Sequence, residues 1–136
     1  MGSKPIHQEE DFGVAPELIY KTLLDAKEFT AFTDGAAEID PAPGGAFKLF
    51  DERIVGRHIE LIPNQRVVQA WREPSWPEGV YSIVRFELRP RAPGTRIVFD
   101  HWGFPEENRA HLAIGWKNHY WDGMRKYFTQ TPIPAS

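Results

Sequence analysis

Five histidines, His7, His58, His101, His111 and His119, are the first residues that suggest chemistry. A helical zinc site needs two histidines four apart on one face, and a soft site needs thiolates. No pair has that spacing, and there is no cysteine. His111 and His119 stand eight apart on what reads as the polar side of a helix. The five are therefore read as surface residues, with no metal and no cofactor expected. The carboxylates gather as Glu9-Glu10-Asp11, Asp51-Glu52 and Glu106-Glu107. Acid–base work needs two carboxylates held apart across a cleft, which adjacent residues do not provide. Glu106 and Glu107 suit the positive end of a helix dipole. Ser3, Ser75, Ser82 and Ser136 show no nucleophile elbow. Gly44-Gly45 precedes a strand pattern rather than a helix, so it is no phosphate cradle. No catalytic residue follows from spacing. His58, Tyr81, His101 and Tyr120 are the polar groups that an enzyme built on this chain would have to use.

The aromatic residues are more informative: 5 Trp, 4 Tyr and 9 Phe in 136 residues need a place to go. Phe47, Trp71, Phe86 and Phe99 fall on strand patterns, and Trp116, Tyr120, Met124 and Phe128 on a helical one. If the two sets face each other, two readings stay open. They fill a core, each ring burying roughly 150–250 Å², or they wall a cavity for a small apolar molecule. Trp76 lies in a Pro-Ser-Trp-Pro turn. It is either a half-exposed anchor for a partner or a ring packed over a strand edge.

The elements that must position these residues begin with the last long segment, Glu106 to Thr129. At about 100° per residue, Trp116, Tyr127, Tyr120, Ala113 and Met124 share one apolar sector. Phe128, Ala110, Trp121 and Ile114 complete it, roughly 160° wide. Lys117 and Arg109 interrupt it. A helix of roughly 20 residues is about 30 Å long and needs a large apolar surface to lie on. Upstream, Lys4–Phe12 reads as a strand. Pro16-Glu17 opens a helix carrying Leu18, Ile19, Leu23 and Leu24 up to Asp25. Lys27–Phe32 is a second short helix with Phe29 and Phe32 inward. Asp40–Gly45 is a breaker loop. Strands follow at Ala46–Phe50, Ile54–Ile62, with Gly56 as a possible bulge, and Arg66–Glu73. Val80–Arg89 has Val80, Ser82, Val84, Phe86 and Leu88 on one face, and Thr95–Trp102 has Ile97 and Phe99 alternating. Short turns make consecutive strands antiparallel. The expected class is α+β, a single domain over residues 1–136 with the long helix covering one face of the sheet.

Composition sets further bounds. Apolar content of 41% and charged content of 26% are ordinary for a globular chain. A net charge of −3 gives no basic face, so nucleic acid is not an expected partner. No apolar run approaches membrane-spanning length. The polar opening MGSKPIHQEED is not a signal peptide, and Ile6 stands where a myristoylation motif needs Ser or Thr. The lack of cysteine fits a reducing compartment, and the expected location is cytoplasmic.

Certain stretches resemble a known family. Gly44-Gly45-Ala46-Phe47, Gly56 to Pro63 (GRHIELIP), Arg66 to Arg72 (RVVQAWR), Ser75 to Gly79 (SWPEG) and Gly115-Trp116 are similar to the C-terminal domain of the activators of Hsp-90 ATPase. That domain belongs to the START-like, birch-pollen-allergen-like superfamily (SRPBCC). The likeness covers the first helix to Phe128, and Trp71–Gly79 is its most specific part. It implies a helix-grip fold: a curved antiparallel sheet of about six or seven strands around a long C-terminal helix, with two short helices after the first strand. It implies a non-enzymatic co-chaperone module for an Hsp-90-type chaperone, Trp76 being the contact candidate. Eukaryotic activators carry a further N-terminal domain that engages the chaperone's middle segment. These 136 residues contain no counterpart, so a weak contact or none is expected. The superfamily also implies two alternatives. One is carriage of a small apolar ligand beside Phe47, Trp71, Phe86, Phe99, Trp116, Tyr120 and Met124. The other is a cyclase- or dehydratase-like enzyme.

Overall fold

The structure of the protein, a computed structural model, describes residues 4–130. They run as β1 (Ile6–Phe12), α1 (Pro16–Leu24), α2 (Ala26–Thr33), β2 (Ala37–Ile39), β3 (Ala46–Leu49), β4 (Ile54–Ile62), β5 (Arg66–Arg72), β6 (Ser82–Arg91) and β7 (Gly94–Trp102). A C-terminal helix follows in four pieces: a 3₁₀ turn (Glu106–Asn108), α3 (Arg109–Gly115), a π segment (Trp116–Trp121) and α4 (Asp122–Gln130). The strands form one seven-stranded sheet in the order β1-β7-β6-β5-β4-β3-β2. Every pairing is antiparallel. The fold is thus the expected α+β one: a curved antiparallel sheet, two short helices after the first strand, and the long helix lying on the concave face.

Local chemistry explains the elements. Pro16 stands in the first turn of α1, where its missing N–H is no loss. Asp25 ends α1 and starts α2, its carboxylate accepting from the backbone N–H of Lys27 at 2.9 Å and Glu28 at 3.1 Å. Such a cap satisfies N–H groups that have no intrahelical partner. Along β6, Ser82, Val84, Phe86 and Leu88 are buried while the residues between them are less so. On β7, Thr95, Ile97, Phe99 and His101 point to the same side. Burying each large apolar side chain of this wall contributes roughly 1.5–3 kcal/mol.

The structure departs from the sequence expectations at several points. The strand expected from Val80 begins at Ser82 and extends to Arg91. β2, only three residues long, was not foreseen; it pairs with β3 through Ala37–Leu49 and Ile39–Phe47. Gly56 is no bulge. It pairs regularly with Trp71, and the register shift lies between His58 and Glu60. Glycine is required there because a Cβ would sit 1.9 Å from the Ala70 carbonyl oxygen and 2.6 Å from Cζ of Phe47. The apolar sector of the long helix is also revised. Ile114 is 59% exposed and Ala110 is exposed, while Leu112, outside the drawn sector, is buried.

The π segment accounts for that revision. A π turn takes up an extra residue and shifts every later side chain on a wheel drawn for an α-helix. Leu112 and Trp116, up to its first residue, and Tyr120, Trp121, Met124, Tyr127 and Phe128, from its last residues onward, fall on stripes roughly 100° apart on an unbroken wheel. In the structure both stripes face inward. The inserted turn lets the consecutive Tyr120 and Trp121 both be buried. Phe99 meets Trp116 at 4.4 Å between ring centroids, and Trp116 meets Tyr120 at 4.4 Å. Within the same turn, Tyr120 is met edge-on by Phe29 and Phe32 of α2 at 5.6 and 5.7 Å. α4 lies so near α2 that a Cβ on Gly123 would stand 2.5 Å from the Phe32 carbonyl oxygen.

Candidate functional site: an aromatic cleft beside the long helix

Trp116 is held by a directed chain of hydrogen bonds. Its indole N–H donates to Nδ1 of His101 at 3.0 Å. An indole nitrogen is only a donor, so Nδ1 is unprotonated and the hydrogen of the neutral ring sits on Nε2. Nε2 then donates to Oγ of Ser82 at 2.8 Å, and the Ser82 hydroxyl donates to the Trp71 carbonyl at 2.8 Å. Both ring nitrogens are committed, and burial pushes the His101 pKa down to about 3. Helix, β7, β6 and β5 are tied together at this point.

Next to Trp116 lies a cleft of about 220 Å³. Trp71 from β5, Ile54 from β4, Phe50 from the β3–β4 turn, and Leu112, Trp116 and Tyr120 from the helix form its apolar walls. Gly115 completes the helical side. Arg53, Glu73, His111 and His119 stand at the mouth; Arg53 and both histidines are exposed. Trp116, His119 and Tyr120 all belong to the π segment, a feature that often marks functional sites. The facing β3–β4 turn holds Phe50, Asp51 and Glu52 at φ of 54°, 57° and 67°. Three consecutive non-glycine residues in the left-handed region cost roughly 1 kcal/mol or more each. Burial raises the pKa of the Tyr120 phenol, which stays protonated.

The sequence candidates separate in space. Trp71, Trp116 and Tyr120 line the cleft; Phe47, Phe86, Phe99 and Met124 are buried in the filled interior away from it. Trp76 is 5% exposed and lies against Trp71 with centroids 5.8 Å apart. Of its two open readings the structure takes the packed one. His58 and His101 are buried, not surface residues, because both sit on the inward side of their strands. Of the four polar groups named for an enzyme, Tyr120 alone lines the cleft. Tyr81 is 52% exposed beneath the Arg72 guanidinium. His58 lies beside Phe47, ring centroids 5.3 Å apart, and burial lowers its pKa against the opposing pull of Asp40. Sequence reading does not reveal the mouth: Arg53, Glu73 and Gly115 carry no periodic signal, and His111 and His119 are exposed, in keeping with the polar side of the helix, with nothing in their spacing to mark a cleft.

Among the described residues, several buried polar atoms have no hydrogen-bond partner: both ring nitrogens of His58, Oε1 of Gln69, and the indole nitrogens of Trp71 and Trp76. His58 faces Gln69 across β4–β5, and Trp71 follows two residues on. They form one patch on the inner face of the sheet, and it reaches the cleft at Trp71. Among the described residues no group of three or more His, Asp or Glu could hold a metal ion. No described helix is long and apolar enough to cross a membrane.

This arrangement, a long helix gripped by a curved antiparallel sheet, is that of START-like proteins, and solved structures share it. An HSP90 activator from Plasmodium falciparum superposes with a TM-score of 0.85 at 23% identity, over 93% of this chain and 97% of that one. The Aha1 dimer from Colwellia psychrerythraea gives 0.81 at 18% identity, over 96% and 100%. In sequence, the human activator of 90 kDa heat shock protein ATPase homolog 1 is 27% identical over 120 residues, 88% of this chain and 36% of that protein. A homologue from Dictyostelium discoideum is 27% identical over 128 residues, 93% of this chain and 33% of its own length. The chain therefore spans about a third of the curated relatives it matches. The family described as activator of Hsp90 ATPase homolog 1-like protein matches residues 14–129. The protein belongs to that family.

Proposed function

We propose that this chain is a non-enzymatic, co-chaperone-like module that binds an Hsp-90-type ATPase and raises its turnover in the cytoplasm. The observation that carries this reading is the family match across residues 14–129. The fold shared with the P. falciparum activator accords with it. No contact residue is assigned to Trp76, since a ring buried against Trp71 offers no surface to a partner. The test is steady-state ATP hydrolysis by an Hsp-90-type chaperone with and without a saturating excess of this protein, alongside calorimetry of the pair. A several-fold rise in turnover with a measurable binding heat is expected. Unchanged turnover with no heat of binding overturns the reading.

The cleft supports a second reading, in which the same domain holds a small apolar ligand. Its aromatic walls and open mouth are the ordinary make-up of a ligand site, although about 220 Å³ is small for one. A ligand at a hundred times its Kd adds roughly 2.7 kcal/mol of stability, which thermal shift reads directly. No shift with any one- or two-ring aromatic compound counts against it.

A further inference from the structure

We propose that the cleft binds a one- or two-ring aromatic molecule bearing an anionic group, the ring on Trp71, Trp116 and Tyr120 and the anion at Arg53, His111 and His119. This rests on the second reading above and specifies the ligand.

Gly115 is the first reason. Glycine inside a helix is destabilising relative to alanine, so it needs a cause. Its φ is −61°, which any residue adopts. A Cβ would meet nothing nearer than His119 Cδ2 at 4.0 Å. Gly123, by contrast, is dictated by the Phe32 carbonyl oxygen. Neither backbone nor packing demands a glycine at 115, but a larger side chain there would enter the cleft it lines. The glycine keeps the space open.

Trp71 is the second reason. Its ring lines the cleft, is 4% exposed, and its N–H has no partner. A buried donor left unsatisfied is costly, and an acceptor on a bound ligand that reached it would relieve that cost. Size is the third. About 220 Å³ lies below the usual 300–1,000 Å³ of drug-sized sites, which admits one or two fused rings and excludes a sterol.

Charge at the mouth selects the head group. Among the described residues the side chains of Arg53 and Glu73 form no ion pair or hydrogen bond, so both remain available to a ligand. Arg53 and the two imidazoles can donate to an anion, against the single carboxylate of Glu73. Charge-assisted hydrogen bonds to guanidinium are the stronger kind.

The test titrates ¹⁵N-labelled protein with 2-naphthoate, naphthalen-2-ylmethylammonium and naphthalene, following the indole N–H resonance of Trp71. Naphthoate should shift that resonance and bind about tenfold more tightly than the ammonium compound, a difference of about 1.4 kcal/mol. Arg53→Gln should bring the two within about twofold. Gly115→Leu should abolish binding of all three while the thermal midpoint stays level or rises, leucine being the better helix former. Equal binding of acid and amine by the unaltered protein overturns the anionic assignment and leaves the small-ligand reading standing. No binding of any probe overturns both. Binding that persists in Gly115→Leu, or that leaves the Trp71 resonance unmoved, overturns the placement.

Discussion

The indole of Trp116 and the imidazole of His101 are joined at 3.0 Å in a geometry that only a neutral histidine can hold. Protonating Nδ1 would set two donors against each other and place a charge among the aromatic rings of Trp71, Phe99 and Phe104. The bond that orients one wall of the cleft is therefore also a source of acid sensitivity.

In the unfolded chain His101 takes up a proton near pH 6.5; in the folded protein burial delays this to about 3. The unfolded state binds more protons across that window, so stability rises with pH there and is lost as pH falls from 6.5. His58, lowered in the same direction by burial, adds to the loss. His7 works oppositely: hydrogen bonds to Asp100 and Glu9 raise its pKa, so its contribution is present in acid and fades as pH rises. Being about half exposed, it contributes little. Urea melts between pH 7 and 4.5 should show stability falling by about 1 kcal/mol per pH unit below 6.5. His101→Gln should be less stable at pH 7 but show a shallower slope. An equal slope would refute the role given to His101.

Trp76→Ala should destabilise the domain by about 3 kcal/mol, the usual cost of emptying a buried aromatic site. Trp76→Phe should retain more than half of that stability. If the Ala variant instead melts like the parent in urea, Trp76 does not pack as described.

Gly56→Ala should be among the most damaging single-methyl changes in the chain. The new Cβ would overlap the Ala70 carbonyl and the Phe47 ring, so β4 and β5 must separate or Phe47 must turn out. Overpacking of this kind costs about 3 kcal/mol. Hydrogen exchange should show the amides of β4 and β5 opening earlier. Exchange unchanged in both strands would contradict the close approach.

Glu52→Gly should stabilise the protein by about 1 kcal/mol, by relieving a left-handed residue. The 3.5 Å contact to Lys48 that it removes is solvent-exposed and offsets little of the gain. A lower midpoint would mean that the turn is held by interactions of the Glu52 side chain itself.

Much of the frame could be read from the chain because its determinants are local. The alternation from Ser82 to Leu88, the Asp40–Gly45 breaker and the Pro16 and Asp25 boundaries each act within a few residues. β2 escaped notice because three residues are too few for a period to show. The inward side of His101 was readable in principle, since it continues the Ile97, Phe99 alternation. Aromatic Trp71, Trp116 and Tyr120 drew attention by type. The mouth of the cleft did not, because Arg53, Glu73 and the two histidines are brought together by tertiary structure rather than spacing. The π segment was invisible to any argument that assumed 3.6 residues per turn, and the misplacement of Leu112 and Ile114 follows from it.

That inserted turn also makes chain length a matter of register. Deleting one residue between 116 and 121 would restore an uninterrupted spiral and swing the distal half by about 100°. Phe128 would leave Phe12, and Tyr127 would leave Glu28. The two ends of the rod answer to different neighbours, the sheet alone at one end and β1 together with α2 at the other, and a single spare residue reconciles them.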